Sequence, residues 1–128
     1  MTAPAPSYGM QTTLPVALDE AEPRVRAALA EEGFGVLTEI DESATLQAKL
    51  GVDFRPYRIL GACAPPLAHQ ALSEEIDIGL LLPCNVVVYQ GETPDETVVA
   101  ALDPEIQLGV TGRDDIAPLA REVRARME

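Results

Sequence analysis

The chain has 128 residues, 47% of them apolar and only 4% aromatic, the size of one ordinary domain that can bury a core without metal or disulfide staples. Nine basic against 21 acidic side chains leave a formal net charge of -12, so a nucleic-acid backbone or an anionic membrane surface would be repelled. No apolar run reaches the roughly 20 residues of a membrane-spanning helix, and Met1 to Ser7 lack the basic-then-apolar pattern of a signal peptide. The expectation is a cytoplasmic protein whose two cysteines, Cys63 and Cys84, are reduced thiols.

Residues 1–7, with two prolines among small side chains, read as a disordered start, and 8–128 as one domain without repeat or linker. Tyr8 to Leu14 is a first strand. Leu18, Ala21, Val25, Ala28 and Leu29 then recur at helical spacing, which predicts an amphipathic helix over 19–32 with Pro23 in or near its first turn and Gly33 as the left-handed stop. Phe34 to Asp41 follows as a strand with Phe34, Val36, Thr38 and Ile40 on one face and Leu37 on the other. Ser43 caps a short helix that Gly51 ends.

Beyond Pro56, Tyr57 to Ala62 has no polar side from Ile59 onward and reads as a buried strand; Pro65 and Pro66 start a helix reaching about Ile76. Gly79 to Pro83 is an apolar turn. Asn85 to Tyr89, with three consecutive valines, and Thr97 to Leu102 form a hairpin across Gly91 and Pro94. Pro104 to Gly109 adds a helical turn. From about Asp115 the stripe Ile116, Leu119, Ala120, Val123 and Met127 predicts an amphipathic helix, with acids at its start and arginines at its end matching the helix dipole.

Chemistry concentrates around the two thiols. Cys63 lies between a strand and a helix start, where backbone N–H groups and the positive helix end favour thiolate, the form that acts as nucleophile or soft-metal ligand. Cys84 opens the next strand. It meets Cys63 at one end of the sheet if the two strands are antiparallel and lies at the opposite end if they are parallel. His69 sits at the border of the apolar face of the intervening helix and is a third candidate ligand. Equally, all three fit a packed core and a partly exposed helix side chain. Lys49, the single lysine, with Arg55 and Arg58 forms a candidate site for a small anion. The acidic pairs lie at element ends, where capping explains them; no serine stands with a histidine and an acid in motif context, and one histidine limits triad chemistry. No cofactor is firmly implied, and neither cysteine belongs to a CxxC zinc motif.

Four stretches together, Gly33-Phe34-Gly35-Val36-Leu37, Lys49-Leu50-Gly51, Tyr57 through Pro66 and Leu81 through Tyr89, resemble the domain-of-unknown-function 302 family over nearly the whole chain. The resemblance implies an α+β fold of the TATA-binding-protein-like or helix-grip-like kind, a curved and largely antiparallel sheet with a long C-terminal helix across it. It also implies a homodimer. An antiparallel sheet favours the meeting of Cys63 and Cys84. The family has no agreed activity, so three readings stand: a homodimeric module that binds a small ligand or soft metal at Cys63, Cys84 and His69, a thiol enzyme or redox sensor with Cys63 as nucleophile and Cys84 as resolving thiol, and a purely structural interaction protein.

Overall fold

The computed structural model describes residues 8–109; the expected disordered start and the expected helix from Asp115 lie outside them. Five strands form one sheet in the order β1-β5-β4-β3-β2, every neighbouring pair antiparallel. They are β1 (Gly9–Leu14), β2 (Gly35–Asp41), β3 (Tyr57–Cys63), β4 (Cys84–Gln90) and β5 (Thr97–Leu102). The helices are α1 (Leu18–Glu31), α2 (Glu42–Leu50), α3 (Pro65–Glu74) and α4 (Pro104–Gly109), with a 3-10 helix over Ile76–Leu81 where the sequence suggests only an apolar turn. The α+β class with an antiparallel sheet is as expected.

Alternation along the strands sorts side chains onto two faces. Leu60, Ala62, Val86 and Val88 point to the helical face, where they pack with Leu18, Val25 and Leu29 of α1 and Leu67 and Ala71 of α3. Each large apolar side chain withdrawn from water there contributes about 1.5–3 kcal/mol. Thr97, the buried polar residue of this region, donates its hydroxyl to Val16 O at 2.8 Å and so leaves no unsatisfied donor.

The stop of α1 follows the sequence reading. Gly33 takes φ 85°, its N–H donates to Ala30 O, and Phe34 N–H donates to Leu29 O, while Phe34 and Leu29 join the same core. This is a Schellman closure, and it needs a residue without Cβ strain at Gly33. Pro23, however, stands in the second turn rather than the first, because the helix already begins at Leu18; the ring removes an N–H that would have bonded the carbonyl one turn back. The cap of α2 is also displaced. Asp41, not Ser43, accepts from Ala44 N–H at 3.0 Å, and the Ser43 hydroxyl donates to the same carboxylate oxygen at 2.7 Å. Those two bonds, the backbone one first, hold the Asp41 carboxyl below its ordinary value.

Strand β2 departs most from simple alternation. Val36 pairs with Ala62 but Thr38 pairs with Gly61, so a bulge inserts one extra residue and reverses the faces beyond it. Thr38 and Ile40 therefore leave the face of Val36, and Glu39 and Asp41 take the helical side opposite Leu60 and Arg58. Gly61 makes this arrangement fit: a Cβ there would overlap Thr38 Oγ1 and stand 2.8 Å from Pro83 Cγ. Gly61→Ala is expected to lose about 1–3 kcal/mol, the usual result of overpacking, measured by urea unfolding. Wild-type stability in that variant would show that Thr38 and Pro83 yield freely.

Candidate functional site

At one end of the sheet, α3 stands off from β2, β3 and β4 and leaves a cavity of about 340 Å³. Its walls are Phe34 and Leu37 on one side, Leu67, Ala68, Ala71 and Leu72 of α3 on another, and Leu82 and Pro83 before β4. Cys63 and Cys84 both line it. The antiparallel register brings both to the same end of the sheet. Ala62 faces Cys84 across the β3–β4 pair, and Cys63 is the next residue, where the chain leaves the strand for α3. Both are half-buried thiols rather than a disulfide. Thr38 and the two cysteines are the polar residues in this otherwise hydrocarbon lining, and no charged residue contributes.

The start of α3 differs from the expected thiolate trap. Pro65 and Pro66 occupy its first two positions and carry no N–H, and Ala68 N–H already donates to Ala64 O. The amide donors that would attract a negative sulfur are therefore depleted just where Cys63 ends its strand.

His69 is exposed on α3, while the helix turns Leu67, Ala68, Ala71 and Leu72 to the cavity. The structure thus places both cysteines in the lining of one cavity and leaves the imidazole out of it. Among the described residues, no group of three histidine, cysteine or carboxylate side chains is placed to hold a metal ion.

The three cations have separate surroundings. Arg58 points to the helical face and donates to Glu22 Oε1 at 3.1 Å and Asp19 Oδ1 at 3.0 Å, both on α1. Burial alone would lower its pKa, but the hydrogen bonds to Asp19 and Glu22 outweigh that and raise it. Arg26 extends the network from Glu22 to Glu39 of β2. Arg55 reaches Gln90 O at 3.4 Å, and Lys49 is exposed in the last turn of α2. Arg58, one of the three residues of the expected anion site, is instead the clamp between α1 and the sheet, because Asp19 and Glu22 of the helix reach it first.

An aromatic group missed in the sequence lies on the opposite face. Tyr57 and Tyr89 are cross-strand partners whose rings stack 5.2 Å apart at 8°, and Phe54 meets Tyr57 edge-on at 6.1 Å. Two of three tyrosines falling on neighbouring strands was the available signal. The described residues contain no helix long and apolar enough to cross a membrane.

An open five-stranded antiparallel sheet with helices between its strands, and a cavity where α3 meets the strand ends, define an α+β protein of the class expected. The chain belongs to the family described as domain of unknown function DUF302, whose model matches residues 10–128. It is similar to the crystal structure of an uncharacterized conserved DUF302 protein from Bacillus stearothermophilus, with 29% sequence identity, a TM-score of 0.86, and coverage of 95% of this chain and 94% of that one. No curated protein matches it.

Loss of the Arg58 clamp should be measurable. The Arg58 side chain is 24% exposed and that of Glu22 15%, so Arg58→Met should destabilise by about 1–3 kcal/mol, the range for a hydrogen bond to a charged group whose partner stays behind. Adding Glu22→Gln should recover part of the loss, because a carboxylate left with Arg26 as its remaining partner is then gone. Additive losses in the double variant, read from thermal unfolding, would show that the two side chains are not coupled.

Proposed function

We propose that this protein is a homodimeric binding module for a small apolar molecule, held in the cavity between α3 and the ends of β2, β3 and β4, with Cys63 and Cys84 as its two reactive groups. The observation that carries the reading is the wall: about 340 Å³ lined mostly by hydrocarbon residues, with Cys63, Cys84 and Thr38 among them and none charged, within the range of small-molecule sites. An anionic ligand would find no counter-charge among these lining residues, and a metal would find two sulfurs without a third described ligand. A neutral, largely apolar occupant fits both facts.

The neutral probe N-phenyl-1-naphthylamine should gain fluorescence on binding and slow the alkylation of Cys63 and Cys84 by monobromobimane. Ala68→Leu, at a half-buried lining position, should weaken the probe about tenfold, equivalent to about 1.4 kcal/mol. Absence of saturable fluorescence, or thiol labelling indifferent to bound probe, would remove this reading. Binding of Cu(I) that requires both thiols, without binding of the probe, would favour a soft-metal site instead.

The dimer is supported by exposed Leu37 and Ile40 on β2, an edge strand of the sheet, since exposed apolar side chains beside an open strand edge suit a second chain. Sedimentation equilibrium should give twice the 13.7 kDa chain mass, and Ile40→Lys should shift it towards the single mass. A monomer at micromolar concentration would overturn the dimer while leaving the cavity reading intact.

A further inference from the structure

The face of the sheet away from α1 and α3 carries a second concavity, of about 370 Å³. It arises from the order of side-chain sizes. Gly9 of β1 and Ala100 of β5 are small where Tyr8, Tyr57 and Tyr89 are large, so the centre of this face lies low between tall aromatic walls. The chain has three tyrosines and two phenylalanines. All three tyrosines line this one trough, and Phe54 packs on the outer side of the Tyr57–Tyr89 pair. Only Phe34 lies in the core on the helical side. In a sequence this poor in aromatics, four of five at one place is a concentration that core packing does not require.

The polar groups there are of one kind. Gln11 and Asn85 bring carboxamides from opposite sides, each with a donor and an acceptor, and Gln11 Nε2 stands 3.5 Å from the Tyr89 hydroxyl. Burial, and then the neighbouring Tyr89, push the Tyr57 phenol above its ordinary value, so it remains a neutral donor at physiological pH. None of the described lining residues is charged. An anion would meet a chain of net charge -12 without a local cation, and an organic cation would find aromatic faces but no lining carboxylate. Stacked tyrosine rings and two amides beside an apolar floor of Val87, Ala100 and Leu102 suit a neutral, planar ring that exchanges hydrogen bonds at its edge.

We infer that this trough is a binding site for a neutral planar heteroaromatic molecule, stacked against the tyrosine pair and read at its edge by Gln11 and Asn85. The site is separate from the cysteine cavity, which lies at the α3 end of the sheet and shares none of these lining residues.

Lumichrome, a neutral fluorescent tricyclic ring, is the probe. Its emission should be quenched saturably by the full chain, since an electron-rich phenol in stacking contact quenches such rings. Ala100→Leu, which raises the floor, and Tyr89→Leu, which removes a wall, should each weaken binding about tenfold, the scale of one lost aromatic contact plus its area. Asn85→Leu, at an exposed position, should weaken it as well and keeps the test valid if a floor variant fails to fold. Ala68→Leu, in the other cavity, should leave lumichrome binding unchanged, so that this site and the apolar one fail or succeed independently. No saturable quenching by the wild-type chain overturns the inference, and is the result if another segment of the chain or a second copy covers the trough. Equal affinity in the folded Ala100→Leu, Tyr89→Leu or Asn85→Leu proteins overturns it too.

Discussion

The close approach of three chain segments over Gly61 governs the end of the sheet where the cysteines meet. Thr38 and Pro83 close over β3 because Gly61 carries no side chain to hold them off. With that space available, β2 can bulge between Val36 and Thr38 and the segment before β4 can lie against β3. Cys84 then begins its strand directly opposite Ala62. A larger residue would push the flanking segments apart, and the cavity walls contributed by Leu37, Thr38 and Pro83 would move with them.

The bulge also decides how the excess of negative charge is accommodated. Reversing the faces of β2 turns Glu39 toward Arg26 of α1, while Arg58 of β3 takes Asp19 and Glu22. Acids from a helix and an edge strand thus converge on two arginines instead of repelling one another. The scarce positive charge serves to seat α1 on the sheet. Exposed pairs such as the one with Asp19 contribute little, whereas the less exposed Arg58–Glu22 pair fixes orientation because misplacing it would strand a charge.

Features that depend on a few adjacent residues were legible in the sequence. Gly33 ends α1, Pro65 and Pro66 begin α3, and β5 spans Thr97–Leu102 as its β-branched run implies. The antiparallel pairing of β3 and β4, which puts Cys63 and Cys84 at the same end of the sheet, followed from the family resemblance, not from spacing, which left two topologies open. What escaped depended on contacts between distant segments. Period-two alternation assigns Thr38 and Ile40 to the face of Val36, and only pairing with β3 reveals the extra residue. Ser43 and Asp41 are both good caps, and the choice between them depends on where β2 stops. His69 lay at the margin of the apolar stripe, so a small rotation of α3 sufficed to exclude it. Arg58 looked available for an anion because its acidic partners are more than 35 positions earlier in the chain.

The strand order also dictates when the sheet can be completed. β1 pairs with β5, the last strand of the described residues, whereas the other pairings, β2 with β3, β3 with β4 and β4 with β5, join strands consecutive in the chain. During synthesis the first strand must therefore wait for almost the whole described chain before its ladder exists, and closing so long a loop adds to the entropic barrier to folding. The strands consecutive in the chain can assemble meanwhile around Leu60 and Val86. β1 is then the last of the five strands to join; like β2 at the other edge it is held by a single neighbour, but its partner is far away in sequence, which makes that seam the natural place for the native sheet to open first.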